Sequence, residues 1–102
     1  MGTAYSLKVK LGNTDLIPKF VKESESADFA LQENGRTNES CKWHSHEEDL
    51  KEFSKQHPEA LFELTGYGEE RGDMWIKYFQ NGLVQVCKAK IIFDDFDYNL
   101  LR

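Results

Sequence analysis

Cys41, His44 and His46 lie within one short stretch, and thiolate and imidazole are the preferred ligands of zinc. The spacing, Cys-x2-His-x-His, is not that of a standard zinc finger, and a fourth ligand would have to come from Cys87 or an acid. The same stretch also reads as the start of a helix. Ser45 followed three residues later by Glu48 has the pattern of a capping box, in which each side chain satisfies the other residue's backbone N–H. No metal is therefore expected. A second cluster, Glu69, Glu70 and Asp73 around Arg71, sits on the glycine-bearing stretch from Gly66 to Asp73. Acidic oxygens on such a turn suit magnesium or calcium, and paired carboxylates suit acid–base work. No EF-hand pattern accompanies them, and adjacent positions such as 69 and 70 have no defined separation across a cleft.

Nucleophilic and cofactor chemistry find little support. Neither Cys41 nor Cys87 lies in a nucleophile motif, and no acid is placed to orient His44, His46 or His57. Gly66-x-Gly68 lacks a third glycine and leads into a strand, where a dinucleotide site needs a helix N-terminus. The expectation is a non-enzymatic protein without catalytic residues or cofactor. The aromatic residues are more informative. Met74 to Phe79 has apolar residues on both faces, Trp75, Lys77 and Phe79 on one and Met74, Ile76 and Tyr78 on the other. Helices on one side cover only one set. The other is either an interaction surface or is covered by the C-terminal Phe96, Tyr98, Leu100 and Leu101. Glu69, Glu70, Asp73, Trp75, Tyr78 and Phe79 are accordingly the candidate interaction surface.

The elements that must position these residues follow from periodicity and punctuation. Tyr5, Leu7, Val9 and Leu11 alternate with polar residues as a strand with one buried face. Asp15 is placed to cap a helix to about Ser24, with Leu16, Ile17, Phe20 and Val21 as its apolar stripe. Phe29 to Gln32 and the stretch through Cys41 and Trp43 read as two short strands on either side of a polar loop, Asn34 to Asn38. The capped helix carries Leu50 and Phe53 towards the core, pairs Glu47 with Lys51 and ends at Pro58. Strands follow at Ala60 to Thr65, Met74 to Phe79 and Leu83 to Phe93, the last two joined by Asn81-Gly82, the signal of a type I′ turn. This order predicts a single α+β domain over residues 1–102. Its form is a ferredoxin-like βαββαβ two-layer sandwich, an antiparallel sheet with two helices on one face and an added C-terminal β-hairpin.

The chain of 102 residues suits one core, and its 25 Leu, Ile, Val and Phe are enough to exclude disorder throughout. Charge is unevenly distributed. Residues 1–22 carry four lysines against one aspartate, residues 23–73 carry 14 acids against 5 bases, and residues 74–102 carry 3 acids against 4 bases. A phosphate-backbone binder needs clustered Lys and Arg, so nucleic acid is disfavoured as a partner. No run approaches the length of a membrane span and no export signal is evident, so the expected compartment is the cytoplasm, with both cysteines as free thiols.

From Trp43 onward the chain reads Ser54, Pro58, Leu61-Phe62-Glu63-Leu64, Gly66-Tyr67-Gly68-Glu69-Glu70, Gly72-Asp73, Trp75, Tyr78-Phe79 and Gly82. Over roughly residues 41–95 this resembles small uncharacterised proteins of bacteriophages, prophages and other mobile elements of bacteria, and more loosely the ferredoxin-like domain of YubB-type plasmid and phage proteins. The resemblance implies a ferredoxin-like fold and a phage or mobile-element context inside a bacterium, and it brings no activity. Two functions are then in view. One is a binding protein that contacts itself or a host protein, with a regulatory or anti-defence role by analogy. The other is a single-stranded nucleic-acid binder that stacks bases on Trp75, Tyr78 or Phe79 and holds the backbone with Lys8, Lys10, Lys88 and Lys90.

Overall fold

A computed structural model describes residues 2–68, 73–89 and 96–101. Strand β1 (Ala4–Leu11) is followed by helices α1 (Leu16–Glu23), α2 (Glu25–Ala30) and α3 (His46–Gln56), then by β2 (Leu61–Tyr67), β3 (Met74–Gln80) and β4 (Leu83–Lys88). The four strands form one antiparallel sheet in the order β1-β2-β3-β4. The domain is thus α+β, but among the described residues all three helices fall between β1 and β2. The expected βαββαβ alternation is not seen. β3 and β4 are half of the sheet itself, where the sequence reading had a hairpin added to it. Between them Asn81 and Gly82 have φ of 48° and 79°, the turn that their types require. The expected continuation of the last strand to Phe93 runs outside the described residues.

The difference at the N-terminal half has a local cause. Ser24 closes α1 through its N–H on the Phe20 carbonyl (3.0 Å), and its hydroxyl accepts from the Ala27 N–H (3.3 Å), starting α2 at once. Ala27 and Ala30 then face the core at helical spacing, while Phe29, whose apolar side chain suggested a strand, is 72% exposed. Of the second expected strand only an isolated bridge between Cys41 and Thr3 is formed, and a further bridge joins Arg36, in the expected loop, to Ser6. Residues 35–41 nevertheless occupy the outer edge of β1. Leu7 N–H donates to Gly35 O (2.7 Å), Thr37 N–H to Tyr5 O (3.0 Å), Tyr5 N–H to the Thr37 hydroxyl (2.9 Å), and Thr3 and Cys41 exchange backbone bonds.

Cross-strand register sorts the sheet into two faces. Tyr5, Leu7 and Val9 align with Gly66, Leu64 and Phe62, then with Trp75, Lys77 and Phe79, then with Lys88, Val86 and Val84. Every sheet residue of the hydrophobic core comes from this set, packed under Ile17, Phe20, Val21, Leu50 and Phe53 of the helices. β2 runs two residues beyond its expected end at Thr65, so Gly66 is a strand residue and not part of a loop. Among the described residues no helix is long and apolar enough to cross a membrane.

Gly35 is buried, has φ of 84°, and leaves no space for a Cβ, which would collide with the Leu7 carbonyl oxygen. Gly35→Ala therefore strains the backbone and disrupts the bond covering β1. The expected loss is about 1–3 kcal/mol, read in thermal unfolding as a lower Tm, whereas Asn34→Ala, at an exposed position, costs less.

Candidate functional site

Trp43, at 2% exposure, needs an acceptor for its indole N–H. It finds the Asp49 carboxylate at 2.8 Å, and the same oxygen accepts from the Ser45 hydroxyl at 2.9 Å. Ser45 is the N-cap residue of α3, but with φ of −90° and ψ of 16° it lies outside the extended region from which a cap side chain reaches back to the helix N–H groups. The expected capping box with Glu48 is therefore not formed. Asp49 takes the Ser45 hydroxyl, and Glu47 turns to Lys77 at 3.6 Å, where a pair with Lys51 was expected.

Above β3 this start of α3 builds a layered polar cluster. Trp75 lies over Gly66, its cross-strand partner, where a Cβ would collide with the indole ring. The His46 ring stacks on Trp75 with centroids 5.0 Å apart and planes at 14°, and Lys77 Nζ stands 4.5 Å from the same indole. Lys77 Nζ donates to His46 Nε2 at 2.7 Å, and the other ring nitrogen meets the Trp43 carbonyl at 2.8 Å. An ammonium has only donors, so Nε2 accepts and the imidazole proton sits on Nδ1. Desolvation first, and then the positive charge of Lys77, holds the His46 pKa below its ordinary value, against the opposing pull of the Trp43 carbonyl, Glu47 and Asp49.

The candidate residues are divided by the fold. Asp73 and Trp75 line one cleft of about 390 Å3 together with Met74, Lys77, Val86, Lys88 and Ala89. Phe79 is fully buried and belongs to the core, so it offers no surface. Tyr78 lies on the opposite face of the sheet beside Glu63; desolvation and then that carboxylate raise its hydroxyl above the ordinary value. Glu69 and Glu70 lie outside the described residues. The Cys41, His44 and His46 triplet is also split. Cys41 is bridged to Thr3, with burial pushing its thiol up; His44 is exposed; both nitrogens of His46 are engaged. Among the described residues no group of three or more His, Cys, Asp or Glu side chains is arranged to hold a metal ion.

The opposite face of the sheet, with Tyr67, Met74, Ile76, Tyr78 and Cys87, contributes nothing to the core. The described C-terminal residues do not cover it: Phe96, Tyr98, Leu100 and Leu101 are all exposed. Lys77 and Gly66, which sequence reasoning left out of the site, could be found only from the register that sets Gly66 against Trp75. No protein-family model, curated protein or solved structure matches this chain.

Two outcomes follow from the cluster. His46 binds protons less readily in the folded chain than in the unfolded one, so stability is independent of His46 well above pH 6.5, falls as the pH drops below that value, and levels off beneath the lowered folded pKa. Thermal unfolding of wild type against His46→Gln checks this: the variant loses that part of the acid slope. Asp49→Ala strands the Trp43 N–H and is expected to cost about 1–3 kcal/mol, measured by chemical denaturation, with Asp49→Asn recovering part of the loss.

Proposed function

We propose that this chain is a small non-enzymatic binding protein that acts by protein–protein contact. The observation that carries the reading is the second face of the sheet. Tyr67 is exposed and Met74, Ile76 and Tyr78 are half-buried; these apolar and aromatic side chains lie outside the core that the helices cover, and such patches on small domains mark interaction surfaces. The likeness of the Gly66 to Trp75 stretch to small phage and mobile-element proteins supports a setting in the bacterial cytoplasm, with a regulatory or anti-defence role. The competing function, a single-stranded nucleic-acid binder, needs free ring faces and clustered cations. Phe79 is inside the core, and Trp75 is held between Gly66 and His46. Lys10 on the open face is paired with Glu63 at 3.7 Å.

The test is retention of host protein by the tagged chain from bacterial lysate beside Ile76→Glu and Tyr78→Ala, with oligonucleotide titrations at several salt concentrations. The expected result is a specific protein held by wild type and lost with Ile76→Glu, and no oligonucleotide affinity. Retention of nucleic acid alone, weakening steeply with salt, would overturn the reading.

A further inference from the structure

The two edges of the sheet are unlike. Residues 35–41 bond along β1, whereas among the described residues no segment bonds along the outer side of β4. The phase of that outer side is readable. Ala89 N–H donates to Met74 O at 3.1 Å, and bonded positions alternate along an antiparallel ladder. Residues 83, 85 and 87 therefore turn their peptide groups to β3, and Val84, Val86 and Lys88 turn theirs outward. Natural edges are protected by proline, bulges or inward charges. Leu83–Lys88 has no proline, pairs with β3 without a register shift and carries one charge, at Lys88; Leu83 is 73% and Val86 46% exposed.

We propose that β4 pairs antiparallel with β4 of a second copy of this chain, about a two-fold axis through Gln85. The occupant follows from self-complementarity. Directly opposed residues share a face, so Val84 meets Val86 of the second copy on the helix-covered face. Leu83 meets Cys87 of the second copy on the other, and Gln85 meets its own equivalent. Val84 and Val86 are opposed as outward-turned pairs, so they make four backbone hydrogen bonds, two from each copy, while Lys88 falls opposite Gly82, whose N–H is held by Ser54. No like charges are opposed. An axis one residue further on would set Lys88 against Val84, a charge against an apolar side chain. The contact joins two four-stranded sheets into one of eight and continues the open face across both copies.

Sedimentation or light scattering over a wide concentration range is the first measurement, with an expected mass of about twice 11.9 kDa. Val86→Pro removes an outward N–H and no bond to β3, so it is expected to give a folded monomer by circular dichroism. Gln85→Cys, on a background of Cys41→Ser and Cys87→Ser, is expected to form a covalent dimer under mild oxidation. At a non-bonded antiparallel pair the two Cα atoms are about 4.5 Å apart, within disulfide range. Gln80→Cys on the same background is expected not to cross-link. A monomer at all concentrations, a dimer indifferent to Val86→Pro, or a Gln85→Cys variant that fails to cross-link while dimeric overturns the proposal. Ile76→Glu lies on β3 and leaves this contact intact, so it fails or stands apart from the partner-binding reading.

Discussion

Trp43 is the point at which the helical and sheet layers are joined. Its backbone N–H meets the Tyr5 hydroxyl at 3.4 Å, its indole N–H meets Asp49 on α3, and its ring lies against those of Tyr5, Phe20 and His46. One side chain thereby connects β1, α1 and the first turn of α3, and all its polar demands are met inside the protein. A buried N–H without an acceptor forfeits its hydration with no return. The position of α3 is therefore set by the need to bring Asp49 to Trp43. At its other end Ser54 repeats the device: its hydroxyl accepts from Gly82 N–H at 2.8 Å and donates to the Lys51 carbonyl at 2.9 Å, fixing the helix to the turn between β3 and β4.

With α3 held at both ends, the asymmetry of the sheet follows. Three helices strung between β1 and β2 pack on one face, and the parity of a strand sends every second side chain to the other. That second face has polar residues on β1 and β2, where Ser6, Lys8 and Glu63 stand, and apolar ones on β3, where Met74 and Ile76 stand. Its apolar character thus rises towards β4, the strand edge that nothing among the described residues occupies. Face and edge lie on the same side of the molecule, so a contact on one extends naturally to the other.

What the sequence disclosed depended on the range of the interaction that decided it. The alternation from Tyr5 to Val9, the Asn81-Gly82 turn and the stop at Pro58 are local, and they match the structure; Leu11, expected on the same buried face, lies past a register shift and is 59% exposed. The expected strand from Phe29 to Gln32 gives way to α2 because the decisive groups are Ser24, serving two helices at once, and two alanines at helical spacing. The capping box failed for a related reason. Ser45 and Glu48 have the right spacing, but Trp43 required Asp49, and Ser45 joined it there. The candidate surface was legible as two faces of β3, but which face the helices would take was not, since that depends on the distant Leu7 and Phe62 standing in line with Phe79.

A lysine on the core face of β3 needs an account of its own, because Lys77 is only 12% exposed on its side chain and stands near the start of α3. Both burial and the positive end of the helix dipole disfavour an ammonium there. Four contacts oppose that cost: the lone pair of His46 Nε2, the Glu47 carboxylate, the indole face of Trp75 and the aliphatic stem against the core. Of these, the histidine contact holds only while the imidazole is neutral, and the lysine itself helps to keep it so. The contact is therefore lost when His46 takes up a second proton, and the packing of α3 on β3 is strongest while the imidazole is neutral. Within the cluster both ring nitrogens of His46, the indole N–H of Trp43 and the ammonium of Lys77 are met by neighbours. Its chemistry is that of a pin between the helical and sheet layers, joining the first turn of α3 to β3 through His46, Glu47 and Lys77.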